Sequence, residues 1–322
     1  MNIPDKLPTW EKQRPEFRAR LWTLLGDLPP VFVPQPKITM TLQRDGYRVE
    51  KFEFDNGVGD TVYGYTLLPD KLERPAPAVL YQHYHGNKYF LGKDEIFLDR
   101  VTVPPLGVEL VKQGYIVMGT DAYAFGERRW QGPAGNREDG AATELSLFKK
   151  FLWEGRTLWG MMVRDDLLTL NYLVSRDEVD ATRIGTTGMS LGGSRATWLA
   201  ALDERIGVVI PVGQMTRYRD YAEQGDFSLH GIYYYVPGML ASGLDMEILV
   251  ALAAPRAQII LIGDNDPLSP LAGVRKIGDF ATQVYTLYDA ADRLDIRLFT
   301  SIGHQYIPDM AAAMLAGFRQ YL

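Results

Sequence analysis

The chain has 322 residues, 34 Lys and Arg against 40 Asp and Glu, a net charge of −6 and 46% hydrophobic residues. That usage excludes a disordered chain, the charge disfavours nucleic-acid binding through bulk electrostatics, and no apolar run approaches the roughly 18 residues of a membrane-spanning helix. With no cysteine, disulfides, thiolate nucleophiles, iron–sulfur clusters and cysteine-ligated zinc are excluded too. The length suits one large α/β domain or two small ones.

Met1–Lys6 has no basic stretch followed by an apolar one, which predicts no signal peptide and a cytoplasmic location. Trp10, Phe17, Leu21, Leu24 and Leu25 recur at helical spacing, which predicts a helix over 10–25. Pro29, Pro30, Pro34 and Pro36 then stop it. Residues 48–55 and 61–68 alternate as strands around the turn-forming Asn56-Gly57-Val58-Gly59-Asp60. From residue 76 the rhythm changes. Short apolar runs at 78–82, 115–119, 183–187, 206–212, 257–262 and 295–300 are separated mostly by helical segments at 108–113, 157–173, 191–202, 271–289 and 309–321. Such alternation implies βαβ units and a mostly parallel sheet. Residues 213–254 break the rhythm and read as an insertion over the carboxyl edge of the sheet, where ligand sites of α/β folds lie.

The strongest chemical signal is Gly188-Met189-Ser190-Leu191-Gly192, a G-x-S-x-G pattern between a predicted strand and a predicted helix. A serine there sits on a strained turn, and side chains at 188 and 192 would clash, hence glycine. The amide of Leu191, opening a helix, points where an oxyanion would form. A serine hydroxyl needs a base, and the base needs an orienting carboxylate. In the chain order nucleophile, acid, base, His304 follows the last strand and fits as base; His230 precedes the acid and fits poorly. For the acid, Asp264 and Asp266 both lie at the end of the 257–262 strand. Pro267 fixes the turn after Asp266, which favours Asp266 and leaves Asp264 as a loop-capping carboxylate.

The second oxyanion donor belongs to the loop after strand 78–82, His83-Tyr84-His85-Gly86-Asn87-Lys88. Two registers fit: the amide of His85, which the spacing from Pro77 favours, or that of Asn87. His83-x-His85 could also be two metal ligands, but no clear third accompanies it. Residues 86–93 miss the P-loop pattern in spacing and in lacking the final hydroxyl. Tyr233-Tyr234-Tyr235 could line a sugar or acyl pocket, or simply pack.

With these residues the chain resembles the α/β-hydrolase superfamily, and more narrowly the dienelactone hydrolase-like and acetyl xylan esterase-like bacterial serine esterases. The likeness covers roughly residues 76–322. It rests on the His83–Lys93 loop running into Gly92-Lys93-Asp94-Glu95, on Asp121-Ala122-Tyr123-Ala124-Phe125-Gly126-Glu127-Arg128, on the elbow, on Gly263-x-x-Asp266-x-x-x-Pro270 and on Gly303-His304. It implies an α/β-hydrolase fold, a mostly parallel central sheet flanked by helices, with residues 1–75 as an N-terminal helix and strand-hairpin extension, 76–322 as the catalytic core and a lid at 213–254 or 125–160. It implies Ser190 as nucleophile, Asp266 as acid and His304 as base, and Asp121 and Arg128 as scaffold; Leu191 and His85 stay as oxyanion donors on the reading of the residues above, with Asn87 the other register. No metal or organic cofactor is implied. The usual His-Gly of the oxyanion loop stands here as His83-Tyr84. Dienelactone hydrolases use a cysteine nucleophile, which this chain lacks. The expected activity is a serine carboxylic ester hydrolase acting on short acyl esters of small soluble molecules, acetylated carbohydrates among them, with no nucleic-acid or membrane partner and homo-oligomerisation left open. A prolyl-oligopeptidase-type peptidase and a non-catalytic binding protein of the same fold are the alternatives.

Overall fold

Nine strands form a single sheet in the protein, described by a computed structural model covering residues 4–72, 75–99, 103–213 and 215–322. In chain order they are β1 (Lys37–Arg44), β2 (Tyr47–Asp55), β3 (Thr61–Pro69), β4 (Ala76–Gln82), β5 (Ile116–Thr120), β6 (Val179–Met189), β7 (Ile206–Val212), β8 (Ala257–Gly263) and β9 (Leu294–Phe299). They lie side by side as β1-β2-β3-β5-β4-β6-β7-β8-β9. The first three are antiparallel, β3 joins β5 antiparallel, and β5 through β9 run parallel. The hairpin read at 48–68 is therefore part of the main sheet. Residues 1–3, in the stretch read as lacking a leader, lie outside the described residues.

The parallel strands are apolar on both faces because both are covered. Val79, Tyr81, Val117, Ile210 and Leu261 face α2 (Leu106–Lys112) and α9 (Pro308–Tyr321). The alternate residues Ala78, Leu80, Ile116, Met118 and Val209 face α4 (Leu158–Val174) and α5 (Leu191–Leu202). Val274, Ile277 and Phe280 of α8 (Leu271–Leu287) extend that second layer, and α1 (Leu7–Leu25) docks on it through Trp10, Phe17, Leu21 and Leu25. Full burial of side chains of this size contributes about 1.5–3 kcal/mol each. Every residue of α5 is buried, as expected of a helix without a solvated face.

Three helices lie in stretches where no helix was read: α3 (Ala141–Trp153), α6 (Tyr218–Gln224) and α7 (Met246–Leu252). All seven residues of α7 are buried, in the cluster that holds α5 and α8. Within 213–254, residues 228–231, 233 and 234 line a depression that also reaches Ser190. Between β4 and β6 the chain reverses its direction of travel across the sheet. The loops after these two strands open a crevice, the usual place for a ligand in such sheets. No helix among the described residues is long and apolar enough to cross a membrane.

Candidate active site

Ser190 stands between β6 and α5 with φ 56° and ψ −115°, a region that residues with a Cβ rarely adopt. The turn is locked from both sides: the Ser190 amide donates to Val212 O (2.8 Å) and the Ser194 amide to Ser190 O (3.0 Å). The flanking glycines are required by contact. A Cβ on Gly188 would stand 2.2 Å from Gln82 O, and one on Gly192 2.0 Å from the same atom. The end of β4 thus presses directly on the elbow. A buried pair beneath fixes that approach: Asp166 of α4 accepts from Arg195 Nε of α5 at 3.0 Å and also from Arg195 Nη2.

The loops after β8 and β9 meet just as closely, since a Cβ on Gly263 would lie 2.2 Å from Ile302 O. There His304 Nδ1–H donates to Asp266 Oδ2 at 2.8 Å. Asp266 is 4% exposed. Its Oδ1 accepts the Leu268 amide (2.8 Å) and its Oδ2 faces the Ser269 hydroxyl (3.4 Å). Asp264 does something else: its Oδ1 accepts the Ser301 amide (2.7 Å) and so holds the turn that leads to His304. Of the two aspartates weighed from the sequence, Asp266 is the one brought to the imidazole. With Nδ1 committed to Asp266, Nε2 is the nitrogen left for chemistry.

After β4, His85 to Lys88 form a tight turn closed by the Lys88 amide on His85 O (2.9 Å), with positive φ at Gly86 (51°) and Asn87 (56°). The Asn87 amide donates to His85 Nδ1 (3.0 Å), so this candidate donor is engaged within the turn. The Tyr84 amide donates to Glu95 Oε2 (2.5 Å). The His85 amide has no hydrogen-bond acceptor in the described residues. The His85 ring is fixed at its other end too, where Nε2–H donates to Glu144 Oε1 (3.2 Å); Tyr89 OH donates to Glu144 Oε2 (2.9 Å). Glu144 comes from α3 and is 4% exposed. Sequence reasoning missed it because α3 was not recognised. The signal was present as Leu145, Leu147, Phe148, Phe151 and Leu152 at helical spacing.

His83 has a different task. Its Nε2 accepts the Ala122 amide (3.0 Å) and its Nδ1–H donates to Tyr84 O (3.0 Å), tying the ends of β4 and β5. Burial, then the neighbouring Arg195, hold its pKa well below the ordinary value, so the ring stays neutral. The nitrogens of His83 and His85 are thus committed to four protein partners rather than aimed together at one point. Asp121 accepts from the Lys93 amide (2.7 Å), Lys93 Nζ (2.8 Å) and the Glu127 amide (3.0 Å). Arg128 Nη1 donates to Asp165 at 2.8 Å. Both are buried ties beneath the loops.

Ser190 and His304 lie where two depressions meet. One, of about 290 Å³, runs past the 85–87 turn toward residues 228–234 and Leu268. The other, of about 340 Å³, is walled by Tyr84, Met189, Gln305 and Tyr306. Leu191, whose amide opens α5, is fully buried beside the nucleophile position. First-turn amides have no intrahelical acceptor and carry the positive end of the helix dipole.

The profile of the Abhydrolase family matches residues 5–222. YtaP of Bacillus subtilis (strain 168), which bears the name of a hydrolase, is 38% identical over 284 residues, 87% of this chain and 90% of its own. A glucuronoyl esterase from Solibacter usitatus superposes with a TM-score of 0.72 at 15% identity, over 98% of this chain and 93% of its own. An acetyl xylan esterase from Paenibacillus sp. R4 does so with a TM-score of 0.60 at 19% identity, over 100% and 97%. At those identities the two solved structures share the fold with this chain.

Proposed function

Starting from the fact that the chain belongs to the Abhydrolase family, we propose that it is a serine carboxylic ester hydrolase for short acyl esters, acetylated carbohydrates among them. One observation carries the reading: a serine held at positive φ on the elbow opens into the same cleft as a histidine already paired, at 2.8 Å, with a buried aspartate. A serine in such a strained position needs a reason, and nucleophilic attack supplies one.

In this mechanism Ser190 Oγ attacks the ester carbonyl while His304 Nε2 takes its proton. The amides of Leu191 and His85 hold the tetrahedral oxyanion, each donor worth on the order of 3 kcal/mol of transition-state stabilisation. His304 then protonates the leaving alcohol, an acyl group remains on Ser190, and water, activated by the same imidazole, releases it. Asp266 keeps the imidazole in the Nδ1–H tautomer and stabilises the imidazolium. The Glu144–His85 pair keeps the turn that carries the second donor in one conformation. The net charge of −6 suits a small neutral ester better than an anionic polymer. The acetyl xylan esterase of the same fold favours a carbohydrate as the alcohol.

The test is hydrolysis of p-nitrophenyl acetate, butyrate and octanoate and of a proline peptide anilide, by wild type and Ser190→Ala. The expected result is activity highest on the short esters and lower by about 10³-fold or more in the variant. Cleavage of the anilide with none of the esters touched would replace the proposal with a peptidase. Inertness to all four would reject it.

A further inference from the structure

Beyond the cleft, on the side of residues 228–234, lies a separate pocket of about 340 Å³. Its walls are apolar and aromatic, with Tyr218, Phe227, Val236, Met239 and Leu240 among them. Two rings belong to both spaces, those of His230 and Tyr234. They are stacked with centroids 4.4 Å apart and planes 15° apart, and His230 stacks in turn on Tyr221 at 4.5 Å. The gap left among them, about 10 Å³, has room for no more than one water. A single layer of rings therefore separates the reacting serine from an apolar space at least as large as the depression it adjoins.

The two rings are not equivalent. Tyr234 is packed against Trp159 of α4 (5.3 Å) and against Tyr233 (4.3 Å), and its hydroxyl meets Ser194 of α5 at 3.2 Å. It belongs to the core. His230 is supplied by the segment joining α6 to α7. Burial pushes its pKa down to about 4, so at neutral pH it presents an uncharged ring to both spaces.

Direction follows from the chemistry. The leaving alcohol must lie within reach of His304, and the depression continuing past that residue is lined by Gln305 and Tyr306. His304 lines both depressions; placing the alcohol in this one leaves the acyl group the other, which runs toward His230. Resting on the ester-hydrolase reading, we propose that His230 is the residue that sets acyl-chain length: its ring closes the cleft to all but short acyl groups, and behind it stands a ready-made site for a medium-length alkyl chain. Such a pocket, mostly apolar and with few polar groups, suits an acyl tail rather than a sugar.

The experiment measures kcat/KM for p-nitrophenyl acetate and octanoate in wild type, His230→Ala and Phe227→Ala. Phe227 lines the pocket but not the cleft and serves as control. The octanoate-to-acetate ratio should rise tenfold or more in His230→Ala, as expected when a pocket gains several methylenes of apolar contact, and stay at the wild-type value in Phe227→Ala. Should His230→Ala fail to fold, His230→Val removes the same ring and is read in the same way. An unchanged ratio in a folded His230 variant, or a wild type that already prefers octanoate, would overturn the proposal. A wild type inert to both esters would instead refute the ester-hydrolase reading itself.

Discussion

Replacing Ser190 by glycine and, separately, by alanine separates the catalytic role of the serine from the strain of its backbone. At φ 56° and ψ −115° a residue with a Cβ is held at a cost of about 1–3 kcal/mol. Alanine keeps the Cβ and hence the strain; glycine removes both. Against this, glycine adds unfolded-state freedom worth about 0.5–1 kcal/mol. Both variants lose the hydroxyl equally, so their difference isolates the backbone: Ser190→Gly should be more stable than Ser190→Ala by about 0.5–2 kcal/mol. For a chain of this length the entropy of unfolding is about 0.7 kcal/mol per degree, so Tm should be higher by roughly 1–3 °C. Differential scanning calorimetry reads the shift, and p-nitrophenyl acetate hydrolysis shows both variants inactive. A Ser190→Gly protein that melts at or below Ser190→Ala would refute the argument that the elbow stores strain.

Three further outcomes follow from the same geometry. Asp266→Asn should lower kcat for p-nitrophenyl acetate by about 10⁴-fold by losing the Nδ1–H tautomer, whereas Asp264→Asn, which keeps an acceptor for the Ser301 amide, should stay within about tenfold of wild type. Glu144→Ala leaves His85 Nε2–H and Tyr89 OH without their acceptor and loosens the oxyanion turn. Steady-state kinetics should show kcat down by about 10- to 100-fold with KM little changed, less than full loss of a donor, and partial recovery in Glu144→Gln. The His230 pKa of about 4, against 6.5 in the unfolded chain, means that between these values only the unfolded state binds the proton. Stability is therefore full above pH 6.5, falls as the pH drops toward 4 and levels off below, with a loss of about 2 kcal/mol after allowance for partial exposure. Urea unfolding at pH 7 and pH 4.5 should show this extra loss in wild type and not in His230→Leu.

The parallel core was legible because its strands are short apolar runs between helices of matching period. Even its limits were close, with 206–212 and 191–202 coinciding with β7 and α5. What the sequence hid had local causes. β1 follows the prolines of 29–36 and went unread although Ile38, Met40 and Leu42 alternate with Thr39, Thr41 and Gln43; in the fold all eight of its residues are exposed. α3 was obscured by the glycines and charges of 132–140 before it, and α7 is only seven residues long and apolar throughout, a length at which buried helix and buried strand look alike. At the site, Ser190, His304 and the two aspartates could be located by motif and chain order. The choice between Asp264 and Asp266 depended on which carboxylate turns inward, and that is set by contacts between the loops after β8 and β9. Glu144 is 59 residues from the His85 ring it holds, a pairing that no local pattern encodes.

Phosphonylation asks of the protein itself whether Ser190 is the nucleophile. Wild type and Ser190→Ala are treated with a fluorophosphonate, digested and mapped by mass spectrometry. One adduct is expected, on the peptide containing Ser190, in wild type and none in the variant. An adduct on another residue, one that survives in Ser190→Ala, or no adduct in folded wild type would contradict it.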